Sequence, residues 1–387
     1  MSNILIASIK SIIPGYGNSY GELVSTEEIA RRIAHPDPSK GIDPKIIYKM
    51  TGVKSVAFTA DTINFCRAMW DENLPLSEIF AACQATENEA LFSMLKVAIS
   101  FTIEQASQKY QYEVRKHLLA HIHIFTTKSP KGFEVSEKGT QFGLSFKFDA
   151  PIYLQQGCSG IVPALKIAET LLESESDKNA MVLITAENDM LTHAHQRCTK
   201  YATMGNLNHW MWPAIFGEGV GAILCGKKTQ EKRSKCNPQW HIENMTFSTC
   251  ENEWRVNHEL DIKNKTVNIL VRAQEVKKTF LNNILRLVNT AIQDYGDKEN
   301  IKTICIHESN PNMVRKVIRE LGLNINQVPL FSEDVGTLAG VSAFTLLDHA
   351  ISQCGSTVTE KPITLSVIGE AGGRVTAGNI YLQQWEP

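Results

Sequence analysis

Cys158 has the clearest chemical potential of any residue in this sequence, because of where its neighbours place it. It lies in the run Gln156-Gly157-Cys158-Ser159-Gly160, after a short apolar segment and before an amphipathic stretch. This pattern predicts a strand, a tight turn and a helix. A cysteine at a helix N-terminus has its thiol pKa lowered by unpaired N–H groups and the helix dipole. The two glycines would let a substrate carbonyl approach the backbone. A buried, inert cysteine is the alternative.

His307 is the second candidate, in the run His307-Glu308-Ser309-Asn310-Pro311. It follows the apolar segment 303–306, which predicts a strand, and open α/β folds collect functional groups at the carboxyl ends of strands. Asn310 fits the N-cap of the next helix and Pro311 its first position, so Asn310 has a structural explanation of its own. For His307 the alternative is a histidine enclosed in the core.

Two glycine-rich runs and one aromatic run complete the candidates. Gly372 and Gly373 lie between two predicted strands, so they form either a tight turn or a backbone N–H donor for an oxyanion. The run FGEGVG at 216–221 leads into a strand rather than a helix, which excludes a phosphate-binding loop. The aromatic run at 208–213 is either a packed loop or part of a substrate pocket.

Two pairs of closely spaced histidines could suggest a metal. They are His121 with His123 and His193 with His195. No third ligand accompanies either pair, so no metal site is expected.

The elements that would position these residues alternate along the chain. Strands are predicted around 4–9, 121–127, 150–156, 180–186, 220–226, 303–308, 363–369 and 379–384, with amphipathic helices between them. Such alternation is typical of α/β layers around buried sheets. A polar, basic connection from about 226 to 239 separates two halves, 1–226 and 240–387. A second polar stretch near 128–143 is predicted to be an excursion at the end of a strand.

Composition excludes several classes of protein. The chain is 43% hydrophobic and 21% charged with a net charge of -2, which is typical of a globular protein and offers no basic surface for nucleic acid. No run approaches the roughly 20 apolar residues of a membrane helix, and the first residues lack the features of a signal peptide. The nine scattered cysteines indicate neither a disulfide framework nor a zinc site, so a cytoplasmic protein is expected.

Taken in order, these motifs resemble the thiolase superfamily, most closely the β-ketoacyl-acyl-carrier-protein synthase III branch of condensing enzymes. The resemblance covers most of the chain. It rests on Thr51-Gly52-Val53, GCSG, MVLITAE, FGEGVGAIL, HESNPNMVRKVIRELGL, DVGTLAGVSAFTLLDHA and the terminal glycine turn. It implies a five-layered αβαβα thiolase fold of two similar halves, normally a homodimer, with the active site at the junction of the halves.

The resemblance also implies roles for individual residues. Cys158 matches the family's nucleophile and His307 its catalytic histidine. Asn310 matches the asparagine of the HxxN pattern, which need not touch substrate. Gly373 matches the glycine whose backbone N–H joins that of Cys158 in the oxyanion hole.

The resemblance also bears on the residues that would contact the substrate. The resemblance places Trp210, Trp212 and Phe216 near loops of the substrate pocket. At the position of the family's second catalytic asparagine this chain has Thr337. In decarboxylating members that asparagine and the histidine stabilise the enolate formed from a malonyl thioester. Loss of one such donor costs on the order of 10²–10³ in rate, so the departure argues against a malonyl-dependent reaction.

The resemblance therefore implies an acyl-Cys158 intermediate, and leaves three alternatives for the second step. The first is Claisen-type condensation with a specialised carbon nucleophile, His307 acting as base, in secondary-metabolite or specialised lipid biosynthesis. The second is acyl transfer to a hydroxyl or amine. The third is an inactive partner subunit in a heterodimer. No bound cofactor is expected, and acyl-coenzyme A or acyl-carrier-protein thioesters would be the substrates.

Overall fold

A computed structural model describes residues 2, 4–72, 74–126, 144–148, 151–198, 200–228, 239–250, 256–355, 359–371 and 374–385. The predicted excursion near 128–143, most of the predicted connection between the halves, and Gly373 lie outside the described residues.

The strands appear near each predicted position, and five more are present. They are β1 Ile4–Ile12, β2 Gly21–Ser25, β3 Ser55–Thr59, β4 Leu118–Phe125, β5 Ile152–Leu154, β6 Met181–Asn188, β7 Gly219–Lys227, β8 Gln239–Cys250, β9 Val256–Asp261, β10 Thr266–Val271, β11 Thr303–Ile306, β12 Ile363–Ala371 and β13 Arg374–Trp385. The strands that the sequence did not predict are β2, β3, β8, β9 and β10.

The helices connect these strands. They are α1 Thr26–Ile33, α2 Ile46–Thr51, α3 Ala60–Asp71, α4 Leu76–Ala85, α5 Glu89–Tyr110, α6 Ile161–Ser174, α7 Ala194–Arg197, α8 Leu207–Ile215, α9 Ala273–Asp294, α10 Pro311–Glu320, α11 Ser332–Val335 and α12 Val341–Cys354. Among the described residues, no helix is long and apolar enough to cross a membrane.

The large sheet repeats one strand topology. Its order is β11-β12-β13-β8-β1-β7-β6-β4-β5. From the central β8–β1 pair, the second half runs outward as β8, β13, β12 and β11, and the first half runs outward as β1, β7, β6 and β4. In each half the first two pairings are antiparallel and the third is parallel. This repeat supports two similar halves, while the boundaries 1–226 and 240–387 stay a prediction.

Helices cover both faces of the sheet and divide the core into layers. The largest apolar cluster joins α6 and α12 to strands of both halves, through residues such as Leu165, Phe344, Ile184 and Leu365. A second cluster packs α5 against the other face of the first half. A third packs α9 and α10 against the other face of the second half. The resulting succession is helix, one half of the sheet, paired helices, the other half of the sheet, helix, as the five-layer prediction requires.

The glycine-rich run at 216–221 serves this packing. A Cβ atom on Gly221 would lie 2.6 Å from the Cβ of Phe344, so only glycine lets α12 lie this close to β7. The run therefore has a packing role, in agreement with the exclusion of a phosphate-binding loop.

Candidate active site

A cavity between the two halves gathers most of the residues singled out in the sequence. Cys158, His307, Asn310 and Thr337 all line it. The rest of its wall is mainly apolar and comes from α2, α8, β10, α9 and α10. An apolar pocket with a few convergent polar groups is the usual form of a small-molecule site.

Cys158 sits in the predicted elbow. Strand β5 ends at Leu154, a 3₁₀ turn spans Gly157–Ser159, and α6 begins at Ile161. Gly157 has φ +50°, a left-handed conformation that favours glycine. Gly160 was expected to let a substrate carbonyl approach the backbone, and this expectation is wrong. A Cβ on Gly160 would lie 2.5 Å from the Ile124 side chain, so glycine is needed here for the turn to pack against β4.

The protonation state of Cys158 differs from the prediction. The thiol was expected to have a lowered pKa at the helix N-terminus. Instead, burial raises the pKa of Cys158 to about 12, and a hydrogen bond from its own backbone N–H offsets only part of that effect. Desolvation disfavours the charged thiolate more than the turn stabilises it. At rest the Cys158 side chain is therefore a thiol, which would need a proton acceptor to react as a nucleophile.

His307 is the candidate acceptor, because it lines the same cavity and its imidazole is neutral. It follows β11, is 1% exposed, and its backbone N–H donates to the Ser366 carbonyl at 2.8 Å. Neither ring nitrogen has a hydrogen-bond partner among the described residues. Burial lowers the pKa of His307 to about 4, so the imidazole is neutral near pH 7. A neutral imidazole facing the cavity can take a proton or donate a hydrogen bond.

Asn310 and Ser309 lie beside His307 in the cavity wall. The Asn310 Oδ1 accepts from the Met313 backbone N–H at 3.0 Å, which confirms the predicted N-cap of α10. Ser309 is the alternative to the missing family asparagine as a donor beside Cys158 and His307, and its presence here weakens the argument against decarboxylation. Its hydroxyl is buried and has no hydrogen-bond partner among the described residues, so it retains a donor close to His307.

Thr337 lies in the cavity wall, but its hydroxyl proton is already donated in a hydrogen bond. Its Oγ1 donates to the Ser309 carbonyl at 2.7 Å, and its backbone N–H donates to the Ile215 carbonyl at 2.8 Å. The side chain is therefore held as a structural link between segments. A hydroxyl in this state presents a lone pair rather than a proton to the cavity, which differs from the asparagine donor of the family pattern.

The oxyanion hole stays a prediction. The backbone N–H of Cys158 is at the turn, but Gly373 lies outside the described residues. The strand β12 that leads to it does reach the elbow. A Cβ on Gly369 would lie 2.7 Å from the Ser159 backbone nitrogen, so β12 packs directly on the turn that carries Cys158.

Two of the three aromatic pocket residues line the cavity. Trp212 and Phe216 stack with ring centroids 3.6 Å apart and both face the cavity. The expectation for Trp210 is wrong, because it is not among the described lining residues and its indole N–H donates to the Thr203 carbonyl at 2.9 Å. Residues two apart on a helix point about 200° apart, so α8 turns Trp210 into the core.

A hairpin that the sequence analysis missed forms another wall. Strand β10 contributes Ile269 and Val271 to the cavity. The side chain of Gln196 accepts from the Ile269 N–H at 2.9 Å and donates to its carbonyl at 3.2 Å. His195 hydrogen bonds to Asn268 at 3.0 Å. The segment around His195 thus fixes the hairpin in place.

The other histidine pair also has a structural partner. His121 Nε2 and His123 Nδ1 both hydrogen bond to the Thr185 hydroxyl, at 2.7 and 2.8 Å. In the part of the chain that the structure describes, no group of three or more His, Cys, Asp or Glu side chains is arranged to hold a metal ion.

The mouth of the cavity is polar. Asn208 from α8 and Gln274 and Lys277 from α9 are exposed and line its rim. They give the opening hydrogen-bonding groups and a positive charge, whereas the inner wall is apolar. The arrangement suits an elongated molecule with an apolar end inside and a polar, anionic end outside.

A buried carboxylate, Glu218, organises the scaffold under the site. Its oxygens accept hydrogen bonds from the backbone N–H groups of Thr59 and Met190 at 2.7 and 3.1 Å. They also accept from the side chains of Thr62 and Asn88 at 2.8 and 3.0 Å. Together these bonds fix the start of α3, the start of α5 and the loop after β6.

Replacing Glu218 with alanine should lower the free energy of unfolding by about 3 kcal/mol or more, because several buried donors would lose their acceptor at about 1–3 kcal/mol each. Urea titration followed by circular dichroism would measure the loss. Glu320→Ala, on the exposed face of α10, is the control and should change stability by less than about 0.5 kcal/mol. Equal effects of the two substitutions would contradict the role assigned to Glu218.

Comparison with known proteins places this arrangement in context. No model of a known protein family matches the sequence. Among curated proteins, the β-ketoacyl-[acyl-carrier-protein] synthase III of Shigella dysenteriae serotype 1 is 22% identical over 302 residues, covering 77% of this chain and 86% of that protein. The enzyme of the same name from Methylococcus capsulatus is 20% identical over 270 residues, covering 69% and 77%.

Solved structures extend the similarity to the whole fold. A cysteine-to-serine variant of Xanthomonas campestris OleA, with bound lauric acid and lauroyl-CoA, superposes with a TM-score of 0.70 at 13% identity, covering 99% of both chains. The 3-oxoacyl-(acyl carrier protein) synthase III FabH of Pseudomonas aeruginosa superposes with a TM-score of 0.64 at 14% identity, covering 100% and 99%. The predicted thiolase fold is thereby confirmed.

Proposed function

We propose that this chain, a β-ketoacyl-acyl-carrier-protein synthase III-like member of the thiolase superfamily, condenses acyl thioesters through an acyl-Cys158 intermediate. The observation that carries the proposal is the presence of Cys158 and a neutral His307 in one apolar cavity with a polar mouth. The similarity to condensing enzymes supports an enzyme that transfers acyl groups.

In the first step, the Cys158 sulfur attacks the carbonyl carbon of an acyl thioester. Since the resting group is a thiol, its proton passes to His307 as the carbon–sulfur bond forms. Backbone N–H groups at the elbow stabilise the tetrahedral oxyanion, with Cys158 and Gly373 as the proposed donors. The carrier thiolate then leaves and takes the proton back from His307, which yields acyl-Cys158.

In the second step, we propose a carbon nucleophile formed without decarboxylation. The hydroxyl proton of Thr337 is directed at the Ser309 carbonyl, so it does not supply the enolate donor that malonyl decarboxylation uses in the family pattern. The enolate of a second acyl thioester or of an activated β-keto compound would attack acyl-Cys158. The α-proton passes to a base in the cavity as the enolate forms, a carbon–carbon bond then forms, the carbon–sulfur bond to Cys158 breaks, and the Cys158 thiolate takes up that proton.

The substrates proposed are acyl-coenzyme A or acyl-carrier-protein thioesters, with no bound cofactor. The name of one group of relatives specifies acyl-carrier protein, and the OleA structure contains lauroyl-CoA. Exposed Lys277 at the cavity mouth suits the phosphates of either carrier. A homodimer, a cytoplasmic location and a place in specialised lipid or secondary-metabolite biosynthesis belong to this proposal.

Product identity tests the proposal. Purified protein is incubated with pairs of acyl-coenzyme A or acyl-carrier-protein thioesters, and products are identified by mass spectrometry. A β-ketoacyl product that is absent with Cys158→Ala would support condensation. An ester or amide formed with an added alcohol or amine would instead indicate the acyltransferase alternative. No product and no acyl-enzyme with any donor would favour an inactive partner subunit.

The aromatic stack should set the length of the acyl chain. Trp212→Ala removes a large side chain from the cavity wall, so longer acyl chains should become the preferred donors. Each extra methylene accommodated would gain roughly 0.8 kcal/mol, about four-fold in binding. Acylation rates over a series of acyl-coenzyme A chain lengths measure the shift. Trp210→Phe, outside the cavity, should leave the preferred length unchanged, and an unshifted optimum in Trp212→Ala would refute this assignment.

A further inference from the structure

Glu370 lines the cavity that holds Cys158 and His307. It lies near the end of β12 and is the one Asp or Glu among the described residues that line this cavity. Its neighbour Gly369 packs on the nucleophile turn: a Cβ on Gly369 would lie 3.2 Å from the Cβ of Cys158. The backbone of Glu370 is therefore held next to the reacting centre by a rigid strand.

The direction of the side chain follows from the strand. Successive side chains in a strand point to opposite faces, so the Glu370 side chain lies on the face of Ile368, opposite to the face on which Gly369 meets the Cys158 turn. Ile368 belongs to the apolar cluster that includes Phe280 and Met313, and both of these also line the cavity. Glu370 is thus a half-buried acid on a mainly apolar wall.

Charge considerations distinguish Glu370 from His307 as an acceptor of a carbon-bound proton. If neutral His307 took that proton, an imidazolium and an enolate would have to form together in an apolar cavity. The same cation forms in the acylation step, but there the backbone donors proposed at the elbow stabilise the accompanying oxyanion, whereas no backbone donor is proposed for the enolate. The burial that lowers the pKa of His307 to about 4 reflects how unfavourable that cation is. If an ionised carboxylate takes the proton, it becomes neutral while the enolate becomes negative. The total charge in the cavity stays the same, which costs less in a medium of low dielectric constant.

We propose that Glu370 is the general base that removes the α-proton of the second acyl thioester. This inference rests on the proposed condensing function. The Glu370 carboxylate takes the proton from the α-carbon, the electron pair of that C–H bond forms the enolate, and the enolate carbon attacks the acyl-Cys158 carbonyl. The Cys158 thiolate leaves, and it recovers a proton from protonated Glu370, directly or through solvent. With Glu370 as this base, the role of His307 is to accept the Cys158 proton in the first half-reaction.

The test separates the two half-reactions in the Glu370→Gln variant, which keeps size and shape but removes the base. Intact-protein mass spectrometry measures formation of acyl-Cys158, and product analysis measures condensation. We expect acylation at close to the wild-type rate and condensation lowered by about 10²–10⁴-fold. Glu360→Gln, exposed and outside the cavity, should keep both rates.

A second readout follows the proton itself. With Cys158→Ala, which accepts no acyl group, incubation of an acyl-coenzyme A in D₂O should incorporate deuterium at the α-carbon, and the double variant with Glu370→Gln should lose that exchange. Deuterium exchange that persists in the double variant, or condensation by Glu370→Gln at the wild-type rate, would overturn the assignment of Glu370 as the base but not the proposed function. Absence of acyl-Cys158 in the wild type would instead overturn the proposed function.

Discussion

Replacing Cys158 with alanine is expected to lower kcat/KM for acyl transfer by about 10⁴-fold or more, because the covalent route disappears with the sulfur. The residue lies in the wall of the cavity, and alanine is smaller by one sulfur atom only. The variant should therefore fold normally. Rates of carrier thiol release from an acyl-coenzyme A, followed with a thiol-reactive dye, would measure the loss.

A second buried cysteine provides the matched control. Cys225 in β7 is fully buried, and burial raises its pKa as it does that of Cys158. Cys225 is not among the described residues that line the cavity. Cys225→Ala should keep near wild-type activity. If Cys158→Ala retained activity as well, the nucleophile would have to be another group.

Replacing His307 with alanine should lower the acylation rate by about 10²–10⁴-fold, the range expected for loss of a positioned proton acceptor. The Cys158 thiol, with its pKa raised to about 12, is almost fully protonated near neutral pH, so attack depends on an acceptor within the cavity. His307 is the buried imidazole that lines it. Single-turnover acylation with an acyl-coenzyme A would measure the effect.

The pH profile gives an independent check on His307. An ordinary histidine would lose its function as acceptor as the pH falls through about 6.5. Burial lowers the pKa of His307 to about 4, so the acid limb of the acylation rate should lie near pH 4 and the rate should change little between about pH 6 and 8. His349→Ala, half-buried against Phe331 and outside the cavity, is the control. A limb near pH 6.5 would contradict the neutral resting imidazole.

Local patterns predicted the elements that carry the two central residues. The strand, turn and helix around Cys158 depend on a short apolar run, a left-handed glycine and helical periodicity, all of which are local properties. The N-cap of α10 could be predicted for the same reason, since Asn310 and Pro311 act on their own helix. The sequence therefore positioned Cys158 and His307 at the ends of the correct elements.

Properties that depend on distant contacts were not predictable. Helix position suggested a lowered thiol pKa, but burial, to which the distant strand β12 contributes at Gly369, reverses that effect. The hydrogen bond of Thr337 to the Ser309 carbonyl joins two separate loops. The cavity-facing position of Glu370 depends on which face of β12 the second half turns inward.

The missed hairpin illustrates a different limit. Strand β9 reads VNHELD, and its polar residues obscure the alternation that identifies a strand. Its partner β10 is held by Gln196, more than 70 residues away in the chain. The sequence did not predict this hairpin, because its stability comes from tertiary contacts rather than from its own residues.

The mass of the intact protein after incubation with acyl thioesters tests the covalent mechanism most directly. Wild type and Cys158→Ala are incubated with a series of acyl-coenzyme A and acyl-carrier-protein donors, and adducts are located by peptide mapping. We expect one acyl mass increase in the wild type, on the peptide that contains Cys158, and none in the variant. No adduct with any donor, or equal labelling of both proteins, would contradict the covalent mechanism.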